Sequence, residues 1–340
     1  MVQPLSGVRV IEFEGIGPAP YAGMLLADLG ADVLRIARPS AARGDLIADT
    51  GDAVMQRGKR IVTLDLKSAA GREAALAHVA EADVLVEGLR PGAMERLGLG
   101  PAEAHAMNPR LVYCRITGWG QEGPLAQTAG HDINYIALSG ALALMGPAGR
   151  PPLPPANLVG DFGGGGLWAA FGILAGVIEA ARTGQGRVID AAMLDGASSQ
   201  MAFLYAWAAS GTWQPGRERN LLDGAAPFYR CYTCACGGHV AVGAIEPDFF
   251  AALMRGLGLD PADWRQEDRA GWPALAETIA RIFASKPRSH WAAHFAGSDA
   301  CVTPVLDMWE AAAHPHNQAR GTFAEDPVQP APGPRFSAPG

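Results

Sequence analysis

The pattern of apolar and polar positions opens with two short apolar runs separated by a helical period. Residues 8–13 predict a first strand. Apolar Tyr21, Met24, Leu25 and Leu26 then recur at helical spacing between Pro18 and Leu29, and Gly30 closes the segment. Residues 33–36 predict a second strand, so the chain begins as a βαβ unit and points to a parallel sheet. The alternation continues. Strands are expected over residues 60–66, 84–87, 111–116 and 188–192, with helices over 69–82, 94–97 and 102–107. Residues 198–210 read as one apolar helix with no strand to close it, a connecting arm. From Pro227 the pattern changes. Two strands, 228–234 and 239–245, form a hairpin over Ala235-Cys236-Gly237-Gly238, followed by helices over 247–256, 272–285 and 290–296. The tail from about Pro327 is rich in Pro, Ala and Gly and is expected to be extended.

These elements predict an α/β protein with a large Rossmann-like domain over residues 1–193. An arm over 194–226, a small α+β domain over 227–310 and a C-terminal segment over 311–340 complete it. A length of 340 residues agrees with about two domains. The 43 Gly and 26 Pro imply many turns, and they follow no repeat period. The longest uncharged apolar stretch, between Asp161 and Glu179, is at the short limit for a membrane span, so a buried helix is expected instead. A net charge of -7 argues against a nucleic-acid partner while leaving room for local basic pockets. The odd count of five Cys, with a strand expected directly after the N-terminus and no leader before it, points to a reducing, cytoplasmic setting.

Two stretches carry the candidate chemistry. Gly130-His131-Asp132-Ile133-Asn134-Tyr135 puts a histidine where a loop meets a helix, and Asp161 stands just before Gly163-Gly164-Gly165-Gly166. A histidine and a carboxylate, each at a helix start, are suited to moving a proton. Each also has a plainer reading as a helix cap. Four consecutive glycines weaken a helix, so they suggest close approach of a ligand and free N–H groups for an oxyanion. Basic residues gather at expected strand ends: Arg38, Arg57, Lys59, Arg60, Lys67, Arg90 and Arg96. Ligands of open α/β sheets sit at the carboxyl ends of strands, and cations there suit phosphates. Glu246 ends an apolar strand, where it can orient an imidazole or cap the next helix.

Other motifs count for less. Gly15-Ile16-Gly17-Pro18-Ala19-Pro20 begins like a dinucleotide fingerprint, but Pro20 takes the place of the third glycine. It reads as a tight turn with proline at a helix start. Cys231, Cys234, Cys236 and His239 resemble a zinc cluster only superficially, because no second matched pair follows. No nucleophile elbow or Walker loop is present.

Taken together, 26–33, 90–100, Gly118-Trp119-Gly120-Gln121, 130–135 and 157–164 resemble the family III CoA-transferase superfamily and, within it, the α-methylacyl-CoA racemases. The resemblance spans nearly the whole chain. It implies an interlocked homodimer whose active site lies between the large domain of one subunit and the small domain of the other. It places Arg38, Leu64, Asp65, Leu66, Lys67, Gly88, Leu89, Arg90 and Arg96 in CoA-contacting segments. His131, Asp161 and Glu246 fall on catalytic positions. Asp132 and Tyr135 would flank the thioester, with Gly130, Ile133 and Asn134 in the same substrate-binding stretch. The implied substrate is a 2-methylacyl-CoA thioester. His131 and Asp161 would exchange the α-proton on opposite faces, the backbone at Phe162 and Gly163 would hold the enolate oxygen, and Glu246 would fix the His131 tautomer. No metal or cofactor is expected, since CoA belongs to the substrate. The alternative is a CoA-transferase with Asp161 as an anhydride-forming nucleophile, but transferases of the superfamily generally lack the histidine at the position of His131. Two positions depart from the family pattern: Ala37 replaces a common acidic residue, and Glu14 stands where a small residue is usual.

Overall fold

The strands β1 (Arg9–Phe13), β2 (Asp32–Ala37), β3 (Lys59–Thr63), β4 (Val84–Glu87), β5 (Val112–Thr117) and β6 (Val188–Ala192) form one sheet. All pairings are parallel and the order is β3-β2-β1-β4-β5-β6. This computed structural model describes residues 3–39, 52–325 and 327–338. Met1, Val2, Pro339 and Gly340, the ends of the expected large domain and tail, lie outside the described residues.

Alternation by one residue sends side chains to two separate cores. Val10, Val33, Val84 and Val112 pack with Ala169 and Ile173 of the helix Trp168–Thr183. Their neighbours Ile11, Leu34, Leu85 and Tyr113 pack with Ala75, Val79 and Met94 on the other face. Both faces are covered, which explains why the strands read as near-continuous apolar runs.

The chain divides into two compact units. The first comprises Met1–Leu142, Pro154–Ala202 and Gln329–Gly340, and the second Ala143–Leu153 and Phe203–Val328. Residues 143–153, inside the stretch expected as the large domain, belong instead to the second unit. There the Arg217 guanidinium donates to the Arg150 carbonyl, and the Ala148 N–H donates to the Glu218 carboxylate at 2.9 Å. The helix expected over 198–210 is shorter, Ala202–Ala209, and residues 198 and 199 end a separate helix, Met193–Ser199. Gly196 sets that separate helix against the first unit: a Cβ there would lie 2.0 Å from the Gly164 carbonyl oxygen.

The second unit holds an antiparallel sheet of β7 (Tyr229–Thr233), β8 (His239–Gly243) and β9 (Val302–Pro304). The helices Pro247–Gly256, Trp272–Phe283 and Arg288–His294 pack with it around Tyr232, Val240, Phe250, Leu253, Ile279 and Phe283. β9 was not expected, because three residues ending in proline are too short to show a period.

Candidate active site

His131 caps the helix Asp132–Leu138 in extended conformation (φ −131°, ψ 175°). Its N–H donates to Asn134 Oδ1 at 3.0 Å, so the backbone is pinned while the imidazole stays exposed. The loop before it is held by Tyr135, whose hydroxyl donates to the Gly130 carbonyl. Gly118 and Gly130 make room for that ring: a Cβ would fall 2.0 Å and 2.8 Å from it. Trp119 packs edge-on against Tyr135 at 4.7 Å. Burial, and then the charge of Asp161, push the Tyr135 phenol up to about 12, against the pull of Arg90. Tyr135 therefore keeps its proton and acts as a brace. Ile133 remains exposed.

Asp161 lies in a π-helical segment, Leu158–Leu167, that runs directly into the helix Trp168–Thr183. Wide winding of this kind is rare and recurs at functional sites. The glycines allow it, although a neighbouring backbone fills the space that the sequence suggested for a ligand. A Cβ at Gly164 would lie 2.7 Å from the Ala197 nitrogen, and one at Gly166 would lie 2.8 Å from the Pro18 carbonyl oxygen. The expected oxyanion donors are also engaged: the Asp161 N–H donates to Asp132 Oδ2 at 2.7 Å, and the Phe162 N–H to the Asn157 carbonyl at 3.3 Å. A Cβ on Gly163 would sit 3.1 Å from the Leu158 carbonyl oxygen.

The His131 and Asp161 stretches are locked together through Asp132. Its carboxylate is buried and receives the Asp161 amide, and a Cβ on Gly160 would lie 2.4 Å from its Oδ2. Asp161 Oδ2 accepts from Asn157 Nδ2 at 3.1 Å. It also faces Gly17, where φ is +66° and a Cβ would lie 3.2 Å away. Sequence reasoning did not assign roles to Gly17, Asn157 and Gly160. Their only signal was membership of turn-rich or polar stretches.

Burial pushes the Asp161 carboxyl up, and the Asp132 charge adds to the rise; the Asn157 amide and His131 offset part of it. Asp161 is thus biased toward its protonated form. Asparagine at 132 keeps an acceptor for the Asp161 N–H and removes the charge. We expect Asp132→Asn to make Asp161 easier to ionise, moving the acid limb of the kcat/KM profile to lower pH. An acid limb that stays in place in a pH–rate series would deny Asp132 this influence.

The CoA-contacting residues expected from the resemblance lie along the carboxyl ends of neighbouring strands. Arg38 follows β2, Leu64, Asp65, Leu66 and Lys67 follow β3, and Gly88, Leu89 and Arg90 follow β4. Arg96 ends the short helix Ala93–Arg96. Strand order reverses between β1 and β4, the place where such sheets bind ligands. Gly17, in the turn after β1, faces Asp161, so Asp161 adjoins this edge. Buried Glu87 shapes the β4 loop by accepting from the Leu89 N–H at 2.7 Å and from Arg115 at 3.0 Å. Lys67 and Arg90 are exposed.

Glu246 belongs to the second unit. It precedes the helix Pro247–Gly256, and its exposed side chain does not cap that helix, so of the two roles read from sequence the capping one is not seen. Among the described residues no group of three His, Cys, Asp or Glu side chains is placed to hold a metal. The helical stretch Leu158–Thr183 is long and apolar enough to cross a membrane by length and composition. It is not the fully buried helix expected: Ala169, Ile173 and Gly176 face the sheet, while Phe171 and Ile178 are 67% and 62% exposed.

The fold is thus that of an α/β protein whose parallel sheet carries basic residues at its strand ends, with His131 and Asp161 in stretches joined through Asp132. Residues 5–338 match CoA-transferase family III, and the chain belongs to that family. It is 46% identical to the alpha-methylacyl-CoA racemase of Mus musculus, over 98% of this chain and 86% of that protein. It is 43% identical to the alpha-methylacyl-CoA racemase of Homo sapiens, over 97% and 86% respectively. A crystal structure of a CAIB/BAIF family protein from Brucella suis superposes with a TM-score of 0.82 at 28% identity, covering 99% of this chain and 93% of that one.

Proposed function

We propose that the chain is an isomerase that interconverts (2R)- and (2S)-2-methylacyl-CoA thioesters by two-base proton transfer. The observation that carries this reading is the Asp132 bridge. It fixes the His131 stretch to the Asp161 stretch and helps keep a proton on Asp161. The strong identity to two racemases supports the same reaction.

His131 removes the α-proton from one face while Asp161 delivers one to the other, and the reverse direction exchanges their roles. Forward and reverse states hold the same single proton on the pair. The thioester acidifies its own α-carbon, so the reaction needs no cofactor. With the Asp161 and Phe162 amides engaged, the enolate oxygen is assigned to the Asp132 and Ile133 N–H groups, which have no partner among the described residues, whereas those of Asn134 and Tyr135 donate to the His131 carbonyl. Arg38, Lys67, Arg90 and Arg96 hold the CoA phosphates. Glu246, supplied by a partner subunit, orients His131.

A homodimer accounts for the exposed apolar face of Leu167, Phe171 and Ile178 and, separately in the second unit, for exposed Phe203 and Tyr205. Sedimentation equilibrium should give twice the chain mass; a monomer at micromolar concentration would remove the partner-supplied Glu246. The catalytic test is to incubate each epimer separately and follow the epimer ratio by chiral chromatography. Both should converge on one mixture, and persistence of each starting epimer would refute the isomerase assignment.

A further inference from the structure

Glu14 stands one residue beyond β1, and its N–H extends the pairing with β2 by donating to the Ile36 carbonyl at 3.0 Å. Its side chain reaches across to the residue that leaves β2. Glu14 Oε2 accepts from the Arg38 backbone N–H at 2.7 Å and from Arg38 Nε at 3.2 Å. The other carboxylate oxygen, Oε1, lies 3.5 Å from Nη2 of Arg35, whose side chain is only 3% exposed. One carboxylate thus ties a buried arginine to the main chain and side chain of an exposed one. Burial alone would push Glu14 up; the Arg38 bonds and the two arginine charges outweigh it and hold the carboxyl below its ordinary value. Glu14 therefore remains ionised.

The pattern of bonds decides what Arg38 can do. A guanidinium has five N–H donors, and the Nε donor is the one Glu14 takes. Among the described residues the two terminal amino groups have no partner, and the side chain is 61% exposed. A planar pair of outward donors matches two phosphate oxygens. Without Glu14, Arg38 would be a freely rotating side chain that must lose that freedom on binding.

We propose that Glu14 is a positioning residue for the nucleotide end of the substrate, holding Arg38 so that its terminal amino groups meet a phosphate of CoA. This rests on the assignment of Arg38 to the CoA edge. The neutral Ala37 between Arg35 and Arg38 offers no carboxylate, so Glu14 supplies the acid from the neighbouring strand.

The test is a double-mutant cycle read by calorimetric titration with CoA and by steady-state kinetics. Glu14→Gln should raise the Kd for CoA and the KM for acyl-CoA about five- to tenfold, with kcat changing by less than about twofold. In an Arg38→Ala background the same substitution should change neither. Glu14→Asp keeps the charge but is one methylene shorter, which lengthens the Arg38 bonds, and it should reproduce the KM rise, which decides the matter should Glu14→Gln not fold. Parent-like KM in both Glu14 variants, or an equal loss with and without Arg38, overturns the proposal. An Arg38→Ala variant that binds CoA normally refutes the assignment of Arg38 itself, whatever the Glu14 variants do.

Discussion

Alanine at position 131 abolishes inversion at the α-carbon, a loss of about a thousandfold or more, while CoA still binds. The substitution removes one of two bases and leaves the other in place, because Asp161 is held by Asp132 and Asn157 rather than by His131. In D2O the remaining carboxyl should still take a proton from its own face and return a deuteron to it. One epimer alone should therefore exchange its α-hydrogen without inverting. Mass spectrometry paired with chiral chromatography reads both events. Continued inversion at near-parent rate would mean that His131 is not a base in this reaction. If Asp161 were instead a transferase nucleophile, the same variant would retain CoA transfer to an added acid.

Asparagine at position 161 should be equally inactive and should show the complementary pattern, with exchange confined to the opposite epimer. It should also be more stable at neutral pH. Folding raises the Asp161 carboxyl above its ordinary 3.8, so the native state holds the proton more tightly than the unfolded chain. The stability that Asp161 contributes therefore falls as pH rises from its unfolded value through its folded one. Asparagine resembles the protonated side chain and escapes that loss. The melting temperature at pH 7 should exceed the parent's, and the gap should close in acid. A variant that melts lower than its parent at pH 7 would contradict the cost assigned to the ionised carboxylate.

The parallel sheet was legible because its strands are buried on both faces and the βα alternation is strong. His131 and Asp161 stood out singly as proton carriers at expected helix starts; the Asp132 link between their stretches did not. What sequence did not show depends on contacts between distant segments. The run from Gly163 to Gly166 suggested room for a ligand, yet the helices beginning at Pro18 and Met193 occupy that space. No local pattern distinguishes these two uses of glycine, because both need only a missing Cβ. The π winding that carries Asp161 follows from the same packing. The break around Gln200 was also hidden, since residues 198–210 have uniform helical character. The Phe162 amide, expected to face an oxyanion, instead donates to the Asn157 carbonyl, because a wide helix uses amides that a tight turn would have left free.

Glu14 and Ala37 illustrate the same limit. Read singly along the chain, each is an isolated departure from a family pattern. Parallel pairing of β1 with β2 makes them neighbours, and Glu14 then bonds the arginine that Ala37 precedes. The information was in the sequence, but only strand register connects the two positions.

The most direct measurement is proton NMR of (2R)-2-methylacyl-CoA incubated with the protein in D2O, with no acceptor acid present. The expected result is loss of the α-proton signal together with appearance of the 2S epimer, at rates that agree. No exchange, followed by movement of CoA onto a carboxylic acid once one is added, would contradict it and make Asp161 a nucleophile instead of a proton carrier.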